Sequence, residues 1–501
     1  SGFFLFAVAV FAQSITGAIS GSVTDPSEAA VVGASVRLTS TATEAERTTS
    51  TNETGRFFFG SLQPGEYRVT VEAQGFRRIV RTSINVSAAQ TVTLTDIRLE
   101  VGQVADSVQV RAQATNVQVE SAERAGTLTT SQVQNLSLRG RNVTSLVSLL
   151  PGVVDLDDPE NLAVNWNFYV QGNRRNTNNV MIDGATVNAI GNNFNSVVAV
   201  SMDAVAEVRV LLSNYQAEYG RMSGANVSIV TKSGSREFHG LASYYKRNEV
   251  LNANDFFNNR LGRPRPRYRF DTWNYQLGGP VYIPRVFNTD RSKLFFFWSQ
   301  EFWPLSIPTA LTQRTVPTEL ERRGDFSQSL DVNGARIVVR DPFNNRMPFP
   351  GNIIPPNRID PNGQALLNFL PLPNFLDRTI SRGNYNYVFQ DVVDQPKRTD
   401  TLKLDYNVNA SNLLTFSYSA RNDINDGKVG IPAGTGNYDV FRQRSENFGK
   451  LFLGRYQKIV SPTLVNSPVC NTRRRRVWAS IGMSPISSRN KVPPCACSNF
   501  P

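Results

Sequence analysis

The chain has 501 residues, enough for two to four domains, of which 19% are charged, 40% hydrophobic and 10% aromatic. Its net charge is +12, but residues 467–501 supply six of these charges, and the mildly basic remainder does not indicate a nucleic-acid-binding protein. The mean hydropathy of −0.29 is that of an ordinary soluble protein, yet it does not exclude a membrane barrel, because barrel strands alternate lipid-facing and lumen-facing residues.

Residues 1–12 contain one uncharged apolar run, Phe3–Ala12. The run is about half the ~20 residues that a membrane-spanning helix needs. It ends in small residues at the positions that an export signal peptidase reads, Val10 and Ala12. We interpret residues 1–12 as the remnant of a secretory signal peptide. A strand or core segment of a chain clipped further upstream is the alternative.

Residues 15–100 show short alternating strands separated by turn signals, which is typical of a β-sandwich. The predicted strands are Ser35–Leu38, Phe57–Phe59, Glu66–Glu72 and Thr91–Leu99. The phrases GSVTDP from Gly21, VGASV from Val32 and LQPGEYRVTV from Leu62 resemble the carboxypeptidase regulatory-like domain. That resemblance implies a transthyretin-like, carbohydrate-binding-like fold. It implies little about a ligand, because the matching residues occupy turns and the core.

Residues 101–115 form a linker that contains an extended segment resembling a Ton box, the short strand that binds TonB in the periplasm. The chemistry required is modest, since an unpaired strand can add to the edge of a partner's sheet. An ordinary last strand followed by a linker has the same pattern, so both interpretations stay open. The candidate TonB contacts are Asp106, Ser107, Val108, Gln109, Val110, Arg111 and Ala112.

Residues 116–232 combine a short helix with short strands. Val143, Leu146, Val147 and Leu150 lie on one helical face, with Asn142 as the N-cap and Pro151 at the end. Strands are predicted at Phe168–Gly172, Val180–Gly184 and Ala206–Val210. The order of QG at Gln171, IDG at Ile182, EVRV at Glu207, AEYG at Ala217, SGANV at Ser223 and TKSG at Thr231 resembles the plug domain of TonB-dependent receptors. The resemblance implies an α+β plug and a plug-to-barrel hinge at Thr231, Lys232, Ser233 and Gly234.

Residues 233–466 read as widely spaced strands and long loops. The clearest hairpin alternates apolar and polar residues through Leu402–Val408 and Leu414–Ala420. A strand with lipid on one face and water on the other requires this pattern, although a half-buried soluble strand shows it too. Trp273–Leu277 and Leu294–Trp298 add strands whose aromatic residues suit a membrane interface.

Residues 304–395 form an insert rich in Pro, Asn and Arg, of a length that is rare in compact soluble domains. Barrels carry such loops on the extracellular side. Phrases within and before the insert resemble the Oar-like TonB-dependent transporters, which combine a regulatory-like domain, a plug and a barrel. These phrases are QLGGP from Gln276, LFFFWSQE from Leu294, GDFS from Gly324, FPGNIIP from Phe349 and RIDP from Arg358.

Residues 467–501 depart from this pattern, because they hold all three cysteines and a run of four arginines without any acidic residue. We interpret them as an off-family tail, frameshifted and disordered. About six strands are expected between residues 236 and 460, whereas plugged transporters use ~22. The sequence therefore predicts a mainly β chain that ends in a partial, open antiparallel transmembrane β-barrel.

Catalysis is not indicated. The single histidine, His239, cannot build a His-Glu-x-x-His zinc site, and a Ser-His-Asp triad would depend on its loop position. Cys495 and Cys497 could be a metal pair, but no second pair or histidine accompanies them. Asp183 followed by Gly184 predicts a tight turn rather than an acid catalyst. We therefore expect no enzyme, no cofactor and no metal.

The family resemblance implies a TonB-dependent receptor or transporter of the outer membrane, exported through a signal peptide, in which a plug gates ligand uptake. Its implied partners are TonB with the inner-membrane energising complex, outer-membrane lipid and an extracellular peptide, protein or glycan. Nucleic acid is not expected as a partner. The alternative is a secreted carbohydrate-binding or adhesion module with β-rich extensions.

Overall fold

The protein is seen in a computed structural model that describes residues 15–480 apart from several gaps. These gaps are residues 103–106, 112–121, 137, 139, 157–166, 190, 192, 194, 197, 217–218, 220–222, 410, 430–440, 462–463 and 467–468. The proposed signal peptide remnant therefore lies outside the described residues. Within those residues, no helix combines the length and the apolar character needed to cross a membrane.

The N-terminal part is the predicted β-sandwich. One sheet has the order β4-β1-β7, and the other has β3-β2-β5-β6 followed at its edge by β8. Alternate residues of both sheets fill a shared core around Ile19, Val36, Phe59 and Val69. The strands are β1 (Gly17–Thr24), β2 (Ser35–Ser40), β3 (Glu46–Ser50), β4 (Arg56–Leu62), β5 (Gly65–Glu72), β6 (Arg78–Val86), β7 (Thr91–Arg98) and β8 (Ser107–Arg111).

The plug follows as a five-stranded sheet of order β13-β12-β15-β14-β9, with a separate β10-β11 hairpin. Its helices are α1 (Thr130–Asn135) and 3-10 turns at Val143–Leu149, Arg175–Thr177 and Met202–Ala204. Its strands are β9 (Arg124–Leu128), β10 (Val153–Asp155), β11 (Phe168–Val170), β12 (Asn179–Ile182), β13 (Ala185–Thr186), β14 (Val205–Ser213) and β15 (Asn226–Thr231).

The helix predicted after Asn142 is present, but it is a 3-10 helix rather than an α-helix. The Asn142 side chain accepts a hydrogen bond from the Thr144 N–H at 3.1 Å, which is the expected N-cap. Val143, Leu146 and Val147 are buried in the plug core, as the spacing predicts. The tighter winding suits a single short segment between a cap and Pro151.

The remaining strands form one antiparallel sheet, called here the barrel sheet, of order β16-β17-β18-β21-β22-β23-β24, with β25 also paired to β23. Within the described residues, the outer edges of β16 and β25 have no strand partner, so the sheet is open as predicted. The strands are β16 (His239–Asn248), β17 (Arg269–Pro280), β18 (Leu294–Pro308), β21 (Val392–Asn409), β22 (Asn412–Val429), β23 (Phe441–Ser461), β24 (Leu464–Asn466) and β25 (Val469–Ser480).

The long insert begins after β18 and ends before β21, so it spans residues 309–391 rather than 304–395. It has structure of its own, because the Asn352 side chain hydrogen-bonds three backbone groups and the Arg358 guanidinium pairs with both oxygens of Asp341 at 2.9 Å. Its elements are β19 (Thr312–Arg314), α3 (Glu319–Arg322), α4 (Pro361–Asn368), α5 (Arg378–Ser381), β20 (Tyr387–Phe389) and 3-10 turns at Pro350–Asn352 and Pro356–Arg358. The preceding β16–β17 connection holds α2 (Phe256–Arg260) and a 3-10 turn at Glu249–Leu251.

The tail differs from the sequence expectation over part of its length. Val469–Ser480 is not irregular but forms β25, in antiparallel register with β23 from Arg444 to Arg455. Backbone pairing to a free strand edge requires only an extended segment, and neither charge nor cysteine content prevents it. Residues 481–501 lie outside the described residues.

Candidate functional site: the contact of the plug with the barrel sheet and the sandwich

The two faces of the barrel sheet have opposite character. Exposed apolar side chains line the outer face: Trp273, Tyr275, Leu277, Trp298, Leu414, Phe416 and Phe452. Buried polar side chains line the inner face: Thr272, Asn274, Glu301, Thr399, Thr401, Lys403, Ser417, Ser419, Arg421, Asp423, Arg455 and Gln457. The predicted alternation is therefore confirmed, and the plug covers part of the polar face.

The first plug contact is centred on Arg141. Its guanidinium lies 2.8 Å from an Asp203 carboxylate oxygen and 3.8 Å from a Glu301 oxygen on β18. The guanidinium also stacks over the Tyr245 ring of β16 at 3.9 Å. Burial alone would lower the pKa of Arg141, but the charges of Asp203 and Glu301 outweigh it and raise this pKa. The guanidinium therefore joins plug and barrel sheet as a permanent cation.

Hydroxyl and amide groups complete this network. Ser201 donates to Glu301 at 2.9 Å and Ser243 donates to Asp203 at 2.9 Å. Asn274 on β17 donates to the Ser201 oxygen at 3.1 Å. The Glu301 side chain is fully buried, and a buried charge must be paired and hydrogen-bonded to be tolerated. The network supplies both requirements from groups on the plug and the barrel sheet.

The second contact is centred on Asp183, which lies in the tight turn that the sequence predicts and has a φ of 48°. Its carboxylate accepts from the Thr231 N–H at 3.0 Å and the Thr231 hydroxyl at 2.7 Å. The Lys403 ammonium of β21 lies 3.5 Å from that carboxylate and donates to the Thr231 carbonyl at 3.2 Å. Arg455 of β23 donates to the Asp183 carbonyl at 2.9 Å. The end of the plug sheet is thus attached to two barrel strands.

The predicted hinge begins at this contact. Thr231 is the last residue of β15, Lys232 donates its backbone N–H to the Ala204 carbonyl at 2.9 Å, and burial lowers the pKa of the Lys232 ammonium. At Gly234 a Cβ atom would lie 2.4 Å from the Phe296 carbonyl oxygen and 2.7 Å from that of Gly279. Only glycine fits there, because both obstructing atoms belong to the barrel-sheet backbone.

The candidate Ton-box residues Ser107, Val108, Gln109, Val110 and Arg111 form β8. This strand pairs in parallel with β6, from Arg78 opposite Ser107 to Thr82 opposite Arg111. Asp106 and Ala112 lie outside the described residues. The segment is therefore extended, as predicted, but one of its edges is already paired with the sandwich.

The sandwich also contacts the plug directly. The backbone N–H of Ala88, in the turn between β6 and β7, donates to the Glu207 carboxylate of β14 at 2.5 Å. Ala88 packs with Ile15 and Val230 in a small buried cluster. Burial raises the pKa of Glu207, and the hydrogen bonds from Ala88 and Ser87 oppose this effect.

A cavity of about 390 Å³ lies where sandwich, plug and barrel sheet meet. Gln63 and Pro64 of the sandwich line it together with Lys232 and His239. His239 is the first residue of β16, and among the described residues no group of three or more His, Cys, Asp or Glu side chains could hold a metal. Residues of all three domains line this cavity.

Sequence reasoning missed the charged residues that attach the plug: Arg141, Asp203, Glu207, Glu301, Lys403 and Arg455. The available signal was position, because Glu301 is the single charged residue of β18 and Lys403 stands between two leucines, Leu402 and Leu404. Alternation places both side chains on the inner face, where a charge requires a partner. The partners could not be found, because they lie about a hundred or more residues away in the chain.

Three family profiles match the chain in order. Residues 18–100 match the carboxypeptidase regulatory-like domain, residues 118–227 the TonB-dependent receptor plug domain, and residues 230–483 the outer membrane beta barrel domain. The chain is 26% identical over 247 residues to the TonB-dependent transporter Oar of Myxococcus xanthus. The matched region covers 47% of this chain and 22% of that protein.

Two solved structures match part of the chain. The outer membrane transporter YddB from Escherichia coli is 10% identical with a TM-score of 0.40, over 71% of this chain and 38% of that one. The siderophore receptor PirA from Acinetobacter baumannii is 12% identical with a TM-score of 0.34, over 71% and 48%. The chain thus spans less than half the length of each of these relatives.

Proposed function

Because the chain belongs to the outer membrane beta barrel family and carries the regulatory-like and plug domains of TonB-dependent receptors, we propose that it is the plug-bearing part of a ligand transporter. Ligand binds on the side of the long insert, TonB and its inner-membrane complex supply the energy, and the plug is the gate. The extracellular ligand is a peptide, protein or glycan.

The Arg141 network is the observation that carries this proposal. It places a cation of the plug between acidic groups of the plug and the barrel sheet, with Glu301 fully buried. Removing one member of a buried ion pair typically costs about 3–5 kcal/mol, so the plug is held firmly at rest. The contact is polar on both sides, and its groups can be hydrated once the plug moves.

Membrane location and TonB binding test the proposal together. Expressed in a Gram-negative host, the chain should fractionate with outer membranes and resist extraction by high salt. The periplasmic domain of TonB should bind the purified chain, and Val108→Pro should abolish binding while Val108→Ala preserves it, because proline removes a backbone donor. Recovery of a salt-soluble periplasmic monomer retained by sugar columns would favour the secreted binding module instead.

A further inference from the structure

The sandwich contacts both the predicted Ton box and the plug. We infer that it is a force-transmitting clasp: a TonB strand that adds to the free edge of β8 pulls on plug strand β14 through β6 and the loop of residues 87–90. The inference rests on the proposed function, because TonB is the partner that supplies the strand. The sandwich would then be a second mechanical connection from β8 to the plug, beside the covalent connection through the chain itself.

The first step is the availability of β8. The sheet order ends at β8, and its single strand partner within the described residues is β6. In the part of the chain that the structure describes, no strand pairs with its other edge, and such an edge is the surface that β-augmentation uses. A partner strand can therefore bind β8 while β8 stays in the sandwich sheet.

The second step is the path along β6. This strand pairs with β8 through Thr82, continues to Val86, and leads directly into Ser87 and Ala88. At about 3.3 Å per residue, the end of the paired segment is roughly 20 Å from Ala88. The strand is held between β5 and β8, so a pull on β8 acts on a sheet rather than on a loose chain.

The third step is the clasp itself, defined as the loop of residues 87–90 bound at Glu207. The Ala88 N–H donates to the Glu207 carboxylate at 2.5 Å, Ala88 packs on Val230, and Ala89 packs beside Met181 and Leu211. The loop therefore touches the three central strands of the plug sheet, β12, β14 and β15. A hydrogen bond to a charged acceptor and a small apolar contact can hold at rest and still part under load.

The two connections meet on one strand. The covalent path from β8 enters the plug at Glu123, whose carboxylate pairs with Arg209 of β14 in a buried ion pair. Glu207 and Arg209 are two residues apart on β14, so both connections pull the same strand. Because β14 lies between β9 and β15, displacing it would break its pairing with both of these strands.

A disulfide tether between β6 and β8 tests whether β8 stays paired in the sandwich sheet when TonB binds. The native cysteines, Cys470, Cys495 and Cys497, are first replaced by serine. The new thiols are then introduced by Val80→Cys and Gln109→Cys, at residues that lie opposite each other in the β6–β8 register. The oxidised and reduced full chains should bind the TonB periplasmic domain with Kd values within threefold of each other. A tenfold or greater loss in the oxidised form alone overturns the inference, as does failure of the tether to form.

Thiol labelling in cells tests the clasp. In the same serine background, Ala88→Cys is buried and should react with a maleimide at least tenfold faster when the inner membrane is energised than after an uncoupler. Adding Glu207→Lys should make labelling fast in both conditions, while Glu66→Lys on the exposed side of the sandwich should not. If the chain binds TonB but its labelling rate does not depend on the energy state of the inner membrane, the clasp is overturned and the proposed function still stands. If TonB does not bind the untethered chain, both fall.

Discussion

The buried pair between Asp183 of the plug and Lys403 of the barrel sheet should behave as a coupled unit. Asp183→Ala removes the acceptor of two Thr231 hydrogen bonds and leaves the Lys403 ammonium with its hydrogen bond to the Thr231 carbonyl, within the described residues. An unpaired buried charge costs about 3–5 kcal/mol, and the remaining Thr231 carbonyl offsets part of this, so we expect about 4 kcal/mol. Lys403→Met should cost less, about 2–3 kcal/mol, because the carboxylate keeps both Thr231 donors.

The double variant is the decisive comparison. Removing both charges leaves no orphan ion, so the cost should fall short of the sum of the single costs by at least about 2 kcal/mol. Native-state hydrogen exchange at the Lys232 N–H measures this, since that neighbouring group donates to the Ala204 carbonyl and keeps its acceptor in every variant. A loss of about 4 kcal/mol corresponds to roughly a thousandfold faster exchange when opening is at equilibrium.

Lys246 on β16 offers a matched control, because its side chain is 54% exposed and its Asp271 contact is 3.8 Å long. Lys246→Met should change exchange at the Lys232 N–H by less than about threefold, as expected for an exposed pair. Additive single costs at Asp183 and Lys403 would refute the reasoning, since they would show that the two side chains do not depend on each other.

Three further outcomes follow from other parts of the molecule. Phe416→Arg on the outer face should destabilise the membrane-inserted chain by about 2–4 kcal/mol in urea titrations. Val338→Arg on the exposed insert is the control and should change the free energy of unfolding by less than about 0.5 kcal/mol. Equal effects of the two substitutions would contradict a lipid-facing sheet. Gly234→Ala should lower the yield of protease-resistant plug, because its Cβ meets backbone at 2.4 Å; an unchanged yield would mean that the hinge has room. The raised pKa of Glu207 means that its contribution to the free energy of unfolding is fully present below the ordinary value of 4.5 and is lost as the pH rises through the folded-state pKa. The unfolding free energy that is lost between pH 5 and pH 8 in urea titrations should therefore be smaller in E207Q than in the unchanged chain; an equal loss would assign the pH dependence to other groups.

The domain order and most strands could be predicted from the sequence, because alternation and turn residues are local properties. Leu402–Val408 and Leu414–Ala420 show this well, since their polar partners face inward as expected. The pairing of β8 with β6 could not be predicted, because an edge strand and a free linker have the same pattern. Likewise, the attachment of Arg141 to Glu301 joins residues from separate domains, and no local periodicity reports on such a contact.

The polarity of the barrel sheet's inner face has a consequence for repeated use. An apolar interface, once parted, exposes surface that water disfavours and that tends to bind other apolar surfaces. Here the surfaces that would part carry serine, threonine, lysine and arginine side chains, which water solvates well, beside a smaller apolar part where Leu451 and Leu453 join the plug core. Separation of the plug from the sheet would therefore expose mainly polar surface, which lowers the tendency of the parted faces to bind other apolar surfaces.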